Sequence, residues 1–286
     1  MDLDLNILVT AALSLSMSRP YMTEAEANAA CRQQLDPFVF ELLNKMYGHR
    51  FQHFWDHEYT IPKDSDKAIV IVERRAHPNL KFCLQNAVYF CRGYALHVFC
   101  SNANYEFVKA ILGKQFDNVH VHIVFETIGT AAQGYKEYNE LLKTRHFWSM
   151  FPEEHVITME TDCYFRKPLP ESIYQYDYVA SIWPWLPQQP GGGGLSYRKR
   201  SKMLEICDRQ KGSEGAPAQD AYTCDGVMAL GFKFPSYSQS LLYFTECHYS
   251  AMAVGTHQWW TYCSRPASGK VEEVVQNILM HIMLEV

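Results

Sequence analysis

Two carboxylates, Glu160 and Asp162, lie two residues apart directly after a short apolar run. Val156, Ile157 and Met159 predict a buried strand. Side chains at positions i and i+2 of an extended segment point to the same side. Two acids at the exit of a buried strand are costly to bury without a partner. A divalent cation that carries a diphosphate is one natural partner, because hard cations bind carboxylate and phosphate oxygens. The alternative is that the acids cap a turn or pair with a lysine or arginine.

A second set of candidate metal ligands lies near the amino terminus. His49, His53 and His57 are spaced four residues apart, so a helix would place them on one face at metal-ligand spacing. Phe51 and Trp55 lie between them and favour a packing surface instead.

The segments that must position these groups alternate between strand-like and helix-like patterns from Lys67 onward. The predicted order is strand Ala68–Val72, helix Asn79–Cys91, strand Leu96–Cys100, helix Asn104–Leu112, strand Val119–Phe125 with alternating histidines, helix Tyr135–Phe151 and a strand from His155. This alternation implies a parallel sheet with helices on both faces. Ligands bind such sheets beyond the carboxyl ends of the strands, near the switch in strand order. Glu73–Arg75 follows the first strand there, and Glu160–Asp162 follows the fourth.

Several classes of protein are disfavoured by what the sequence lacks. No G-x-G-x-x-G follows the first strand and no G-x-x-x-x-G-K-[ST] occurs, which argues against a dinucleotide-binding Rossmann enzyme and a P-loop enzyme. The net charge is −5 and the pI about 6.2, so no general basic field favours nucleic acid.

Composition also indicates the compartment. Nine cysteines are scattered without a C-x-x-C pair, which is typical of buried thiols in a reducing environment. The apolar residues 6–17 follow acidic rather than basic residues and are too few to span a bilayer. We therefore expect a cytoplasmic protein with no signal peptide and no membrane span.

The second half of the chain has a different character. A loop with Trp183 and Trp185 among prolines leads to the four glycines of Gly191–Gly194, which predict a flexible loop entering a strand. A strand is predicted at Val179–Ile182 and a helix at 201–208. Further predictions, in chain order, are a polar loop at 211–218, a helix at Asp220–Leu230, a short strand at Phe244–His248 and a closing helix at 271–286.

The predicted domain organisation has two parts. Residues 1–62 predict a helical extension, with one helix from Thr23 to about Gln33 and another from Phe38 to Tyr47 ending at Gly48. Residues 63–286 predict a single α/β domain, divided into a nucleotide-binding half at 63–165 and an acceptor half at 166–286.

The order of these features resembles the GT-A glycosyltransferases, which use nucleotide-activated sugars, and is most similar to an uncharacterised GT-A-like domain family. The resemblance covers about residues 65–262. The matching segments are Ile71–Leu80, Phe99–Asn104, Tyr138–Thr144 with Phe147 and Trp148, Glu160–Asp162, Tyr176–Tyr178, Gly193–Arg198, Gln219–Asp220 and Gly255–His257. It implies a GT-A, Rossmann-like mixed sheet flanked by helices.

The resemblance also implies roles for individual residues. Mn²⁺ or Mg²⁺ would be held by Asp162, Glu160 and His257, the general base would be Asp220 with Asp225 as a weaker substitute, and the nucleotide sugar would be lined by Glu73, Arg74, Gly193, Gly194 and Ser196. For His257 the alternatives are a donor to phosphate or a packed histidine beside two tryptophans, and for Asp220 the alternative is a helix N-cap. Trp183 and Trp185 could stack on a sugar or base, or simply pack.

Two positions depart from the pattern of that family. Gly192 stands where the family often has an asparagine, and Gln219 stands where it usually has a glutamate. The loss of one carboxylate counts against any mechanism that needs both acids.

Three functions follow from these expectations. The first is a metal-dependent transferase, with inverting chemistry at an aspartate base, that moves a sugar from a nucleoside-diphosphate sugar to a hydroxyl acceptor on a glycan or glycoconjugate. The second is a nucleotidyltransferase on a sugar phosphate, and the third is a non-catalytic carbohydrate-binding module derived from a transferase.

Overall fold

The computed structural model describes residues 2–210, 218–248, 250–265 and 270–286. The strands are β1 (Lys67–Val72), β2 (Ala95–Ser101), β3 (His120–Phe125), β4 (His155–Met159), β5 (Cys163–Phe165), β6 (Tyr178–Ser181), β7 (Gly192–Lys199), β8 (Phe244–Thr245) and β9 (Gly255–His257). The helices are α1 (Asp2–Ser18), α2 (Glu24–Leu43), α3 (His49–His53), α4 (Leu80–Phe90), α5 (Tyr105–Leu112), α6 (Ala131–Leu142), α7 (Arg145–Ser149), α8 (Arg200–Arg209), α9 (Gln219–Ala229), α10 (Tyr237–Ser240), α11 (Trp260–Cys263) and α12 (Val271–Ile282).

A mixed six-stranded sheet forms the centre of the protein, in the order β3-β2-β1-β4-β7-β6. Strands β1 to β4 are mutually parallel, whereas β7 runs antiparallel to both β4 and β6. The chain builds outward from β1 to β3 and then crosses back to place β4 on the other side of β1. The switch in strand order therefore lies between β1 and β4, where a ligand site is expected in an open sheet. The predicted mixed α/β architecture is confirmed.

A smaller sheet in the order β5-β9-β8 extends from the exit of β4. Strand β5 begins one residue after Asp162 and pairs antiparallel with β9, so that Cys163 lies opposite His257. This pairing joins two segments that are almost a hundred residues apart in the chain.

The glycine-rich segment is a buried strand rather than the flexible loop that we predicted. Gly192–Gly194 lie in β7 with buried backbone, and only Gly191, with a φ of +98°, needs the left-handed region of backbone space. The segment is ordered because it pairs on both sides, with β4 and with β6.

The amino-terminal helices also differ from the prediction. The helix that begins at the capping box of Thr23 and Glu26 continues through Pro37 to Leu43 and then, through π-helical turns, as far as Glu58. The sequence predicted a break before Pro37 and an end at Gly48. Proline removes one backbone hydrogen bond, but apolar residues buried on both sides of Pro37 keep the helix on the body.

Most other predicted elements are confirmed to within a few residues, with one exception in the first half. The single helix expected over Tyr135–Phe151 is two helices, α6 and α7, because Thr144 ends the first and caps the second by accepting from the backbone N–H of Phe147. Residues 211–217 of the predicted polar loop lie outside the described residues.

Aromatic packing joins the amino-terminal helices to the body. The ring of Phe40 on α2 makes edge-to-face contacts with Phe82 on α4, Tyr164 on β5 and Trp260 on α11, with centroids 5.7–6.2 Å apart. Such pairs stabilise a core beyond the area that they bury. The first helix contributes Leu8 to the same core.

The nine cysteines are free thiols, and most are buried, as predicted. In the described part of the chain no helix is both long and apolar enough to cross a bilayer.

Candidate functional site

The two carboxylates lie at the switch in strand order, as the spacing predicted. Strands β1 and β4 are adjacent and parallel, with Ile71 opposite Met159, so their carboxyl ends meet. The hydroxyl of Thr161 donates to Glu73 at 3.2 Å across this junction. The side chains of Glu160 and Asp162 are 34% and 28% exposed, so both acids reach the surface of the protein.

The pairing of β9 with β5 brings His257 to these acids. Its Nε2 lies 3.3 Å from Asp162 Oδ1 and 3.8 Å from Glu160 Oε2, and its Nδ1 lies 3.5 Å from Glu246 Oε2. The structure therefore unites the three predicted metal ligands and adds Glu246, which the sequence analysis did not single out. The side-chain amide of Gln258 donates to Glu246 at 3.1 Å and orients it.

Burial and neighbouring charges determine the protonation states of Glu160, Asp162 and His257. Burial alone would lower the pKa of His257, but the carboxylates of Asp162 and Glu246 outweigh it and hold that pKa well above its usual value. The pKa of Asp162 is lowered because His257 outweighs burial. Burial and the charge of Asp162 together raise the pKa of Glu160. His257 is therefore positively charged and lies between the carboxylates of Asp162 and Glu246.

A glycine makes room for the imidazole. A Cβ built on Gly194 would lie 2.3 Å from Cε1 and 2.4 Å from Nε2 of His257, so no side chain fits at this position. Gly192, on the same face of β7, packs against Trp183 and Glu246. These glycines serve close approach of side chains to the strand.

Tyr138 on α6 completes the outer side of the site. Its hydroxyl donates to Glu160 Oε1 at 2.8 Å. Burial, followed by the charge of Glu160, raises the pKa of Tyr138 well above its usual range, so the phenol remains a donor.

The donor set fits an oxygen- and nitrogen-preferring divalent cation. The ligand atoms of Asp162, Cys163 and His257 lie within 4.8 Å of one another. The Nε2 atom of His257 is buried and makes no hydrogen bond of acceptable geometry, although Asp162 is close. Burial raises the pKa of Cys163 well above its usual value, and its thiol donates to the carbonyl of Gly194 at 3.2 Å, so it remains protonated. The ligands that fit are then the carboxylates and the imidazole.

The arginine whose charge acts on the acids differs from the one that the resemblance indicated. The guanidinium of Arg74 is buried over the ring of Phe125 and donates to the carbonyl of Thr127 and to Glu137. Arg75 is 59% exposed and pairs with Glu73 at 2.7 Å. The hydrogen bond to Glu73, and then the charges of Asp162 and Glu160, contribute to the raised pKa of Arg75. Arg75 is thus the exposed arginine whose charge interacts with the two carboxylates.

Two other predicted lining residues belong to a buried polar network. Ser196 is fully buried, 2.7 Å from the Thr158 hydroxyl, and accepts from Arg198 at 2.9 Å. Arg198 also donates to the side-chain oxygen of Gln219 at 2.7 Å, and a Cβ on Gly193 would lie 2.4 Å from that amide. Ser196 and Gly193 therefore contact protein side chains and do not present side-chain surface to a ligand.

The predicted base lies close to the acids. Asp220 is the second residue of α9, whose N-cap is Ala218, so the N-cap alternative is wrong. Its carboxylate is half-buried, accepts from the backbone N–H of Ala221 and adds to the charge that raises the pKa of Glu160. Asp225 is exposed one turn further along the helix.

Two residues of α2 also act on the site, although the resemblance did not extend to this helix. The charge of Arg32 helps to lower the pKa of Asp162. Asp36 is half-buried and accepts from the amide of Asn79 at 3.2 Å; burial, and to a lesser extent the charge of Asp162, raise its pKa to about 6. The i,i+4 spacing of Arg32 and Asp36 shows a shared helix face, but nothing in the sequence says which surface that face meets.

The histidines at positions 49, 53 and 57 do not form a metal site. All three are exposed, and His53 pairs with Glu58 instead. Among the described residues, they are in neither group of side chains whose ligand atoms converge on one point.

A family model described as a protein of unknown function (DUF5672) matches residues 121–261, just under half of the chain. The matched region contains Glu160, Asp162, Asp220 and His257 and excludes β1 and α2. A search of the curated proteins found no match to this chain.

Among solved structures, the apo form of the glycosyltransferase GlyE from Streptococcus pneumoniae TIGR4 is similar, with 8% identity and a TM-score of 0.45 over 73% of this chain and 62% of that one. A second GlyE structure from the same organism gives 9% identity and a TM-score of 0.41 over 60% of this chain and 45% of that one. The alignments span less than two thirds of the GlyE chains.

Proposed function

We propose that this protein is a metal-dependent glycosyltransferase that moves a sugar from a nucleoside-diphosphate sugar to a hydroxyl acceptor. The observation that carries the proposal is the convergence of Glu160, Asp162 and His257 at the switch point between β1 and β4. Two partly exposed acids beside a buried imidazole nitrogen form a ligand set for a divalent cation, which would take the place of the proton on His257. Diphosphate oxygens are natural further ligands of such a cation.

The same ligand set favours Mn²⁺ over Mg²⁺. Imidazole suits transition metals better than magnesium, while carboxylates suit both. Asp162 and His257 would bind the ion directly, and Glu160, which accepts from Tyr138, would bind it directly or through water. When bound, the metal supplies positive charge that stabilises the leaving diphosphate.

The arginines supply the remaining positive charge. Arg75 is held by Glu73 and its charge interacts with the acids, and the charge of Arg32 on α2 acts on Asp162. Guanidinium groups bind phosphate oxygens in a bidentate manner. Both side chains are exposed, so they remain accessible to a diphosphate. Arg74 would act indirectly, by holding α6 through Glu137.

The acceptor hydroxyl would lose its proton to Asp220. This carboxylate is close enough to Glu160 to influence its pKa and is not required as a helix cap. A base on the side opposite to the leaving group predicts inversion at the anomeric carbon. Trp185 is 58% exposed in the loop that precedes β7 and offers an aromatic face on which a sugar ring could stack.

Gln219 does not count against this chemistry. Its side chain is buried and bonded to Arg198 rather than turned toward the acids. An acid at this position would pair with a buried arginine, so the base role remains with Asp220. The nine free thiols suit a reducing compartment, and we infer a cytoplasmic location.

The test is a panel of nucleoside-diphosphate sugars with Mn²⁺, read by calorimetry for binding and by release of nucleoside diphosphate for turnover. We expect one donor to bind and to hydrolyse slowly without acceptor. Asp162→Asn should abolish both metal and donor binding, whereas the exposed control Asp117→Asn should leave them unchanged. A folded wild-type chain that binds no donor in the panel overturns the proposal.

The same experiment separates the two other candidate functions. Consumption of a nucleoside triphosphate with release of pyrophosphate would identify a nucleotidyltransferase instead. Saccharide binding that survives in Asp162→Asn, without turnover in the wild type, would identify a non-catalytic carbohydrate-binding module.

A further inference from the structure

A second cluster of metal-ligating side chains lies at the opposite end of the sheet. His97 is near the start of β2, His120 is the first residue of β3, and Glu153 precedes β4 by two residues. Because these strands are parallel, their amino-terminal ends meet at the edge remote from Glu160 and Asp162. This cluster is therefore separate from the candidate glycosyltransferase site.

The geometry of the cluster is that of converging ligands. One ligand atom from each of His97, His120 and Glu153 lies within 4.8 Å of the other two. His97 Nε2 is 3.2 Å from Glu153 Oε1, and ligands of a tetrahedral zinc ion are about 3.4 Å apart, given Zn–N bonds of about 2.0–2.1 Å. A shift of the His120 side chain, which is half-exposed on the edge strand β3, would complete the set.

An unpartnered atom points to a missing ligand. Glu153 is 2% exposed, and its Oε2 has no hydrogen-bond partner. A buried carboxylate oxygen without a partner is costly. Binding of a cation by this oxygen would remove that cost, and the neighbouring imidazoles offer the nitrogen ligands that zinc prefers.

The outer hydrogen bonds leave the correct nitrogens available. His120 Nε2 lies 3.1 Å from the carbonyl of Lys63 and must donate to it, so in the neutral ring Nδ1 carries the lone pair. His97 Nδ1 lies 3.0 Å from His122 Nε2. In the tautomer in which His97 Nδ1 donates, His122 Nε2 is the acceptor. That tautomer leaves the lone pair of His97 on Nε2, next to Glu153 Oε1, so both atoms could bind one metal ion, in the arrangement by which zinc ligands are oriented in proteins.

We propose that His97, His120 and Glu153 bind a structural or regulatory Zn²⁺ ion, with His122 orienting His97. The ion would join three segments, β2, β3 and the turn before β4, at the amino-terminal edge of the sheet. Because β3 is the edge strand, solvent can supply a fourth ligand. The proposal does not depend on the activity at the other edge.

The test uses the full chain carrying Asp162→Asn, which removes a ligand of the other metal-binding group. The metal-stripped protein is titrated with Zn²⁺, read by elemental analysis after desalting and by a thermal melt, and then with Co²⁺, read by its visible absorption. We expect one equivalent of Zn²⁺, a rise of the Tm with Zn²⁺ concentration and the intense visible band of four-coordinate Co²⁺.

Three further variants, each made in the Asp162→Asn chain, test whether Zn²⁺ binds at the proposed ligands. His120→Asn should abolish binding of Zn²⁺. His122→Ala should weaken Zn²⁺ binding by about 10- to 100-fold, because the substitution removes the partner that orients His97. The exposed control His53→Asn should bind Zn²⁺ as the background does. The proposal is overturned if the background binds no Zn²⁺, or if binding is unchanged by both His120→Asn and His122→Ala. If His120→Asn does not fold, the Zn²⁺ affinity of His122→Ala alone decides whether the proposal stands.

Discussion

At the scale of single residues, Gly194 determines whether the candidate metal site can form. A Cβ at this position would overlap the imidazole of His257, so Gly194→Ala forces either the ring or strand β7 to move. Overpacking of a buried site usually costs about 1–3 kcal/mol. We expect the free energy of unfolding, measured with urea, to fall by this amount and Mn²⁺ binding to be lost.

A matched substitution separates crowding from the mere addition of a methyl group. Gly134 lies in helix α6, where a Cβ would be 3.4 Å from its nearest neighbour, Cδ of Arg74. Gly134→Ala should leave stability unchanged or raise it by up to about 1 kcal/mol, because alanine is the better helix former. Equal effects of the two substitutions would show that His257 does not depend on the bare backbone of β7.

Asp36 gives the protein a pH-dependent stability that can be measured directly. Burial, and to a lesser extent Asp162, raise its pKa from 3.8 to about 6 in the folded chain. The contribution of Asp36 to stability is therefore fully present below about pH 4 and is lost as the pH rises through 6. In Asp36→Asn this loss is absent, so the variant should gain stability over the parent across that interval.

The expected gain is about 1–3 kcal/mol between pH 4 and pH 7, where the lower figure allows for partial exposure of the carboxyl. Urea denaturation of Asp36→Asn and of the parent at several pH values measures it, with the exposed Asp64→Asn as the comparison. A difference between Asp36→Asn and the parent that stays constant across these pH values would contradict the raised pKa.

At the scale of elements, α2 is expected to contribute to donor binding. The charge of Arg32 on this helix helps to lower the pKa of Asp162. Loss of one phosphate-binding arginine typically weakens binding by about tenfold, or about 1.4 kcal/mol. Arg32→Ala should therefore raise the donor Kd about tenfold with little change in stability, while Lys114→Ala, which removes an exposed charge from another surface, should not. A donor Kd unchanged by Arg32→Ala would remove α2 from the site.

The same elements show what could be predicted from sequence. The strand at His155–Met159 and the acids that follow it were predictable because a short apolar run and an i,i+2 spacing are local signals. The meeting of His257 with Asp162 was available only through the family resemblance, because it depends on the pairing of β5 with β9, two three-residue strands with no periodicity of their own.

Errors in the prediction arose where tertiary packing overrode a local signal. Four consecutive glycines predict flexibility, yet β7 is ordered because two strands pair with it and side chains fill the space above its backbone. Pro37 predicts a helix boundary, yet α2 continues because Leu35 and Val39 are buried on either side of it. Arg74, rather than Arg75, was predicted to line the nucleotide site. In the structure the guanidinium of Arg74 binds Glu137 and the carbonyl of Thr127 instead.

At the scale of the whole molecule, the two ends of the central sheet carry different chemistry. Carboxylates, a histidine and arginines lie at the carboxyl ends of the strands, where a ligand site is expected. Imidazoles and one buried carboxylate lie at the amino-terminal ends. The core cluster on one face of this sheet is shared with the amino-terminal helices, so those helices and the body pack as one unit.

This continuity predicts that residues 63–286 do not fold alone. Removal of residues 1–62 would expose the rings that contact Phe40 and would delete Trp55, whose indole donates to the carbonyl of Leu112 at 3.2 Å. It would also leave the buried amide of Gln115 without the carbonyls that it binds in that segment. The full chain should unfold in one cooperative urea transition, followed by circular dichroism and by tryptophan fluorescence, whereas the truncated chain should show none. A cooperative transition in the truncated chain, with Mn²⁺ binding retained, would instead make the amino-terminal helices a separable accessory.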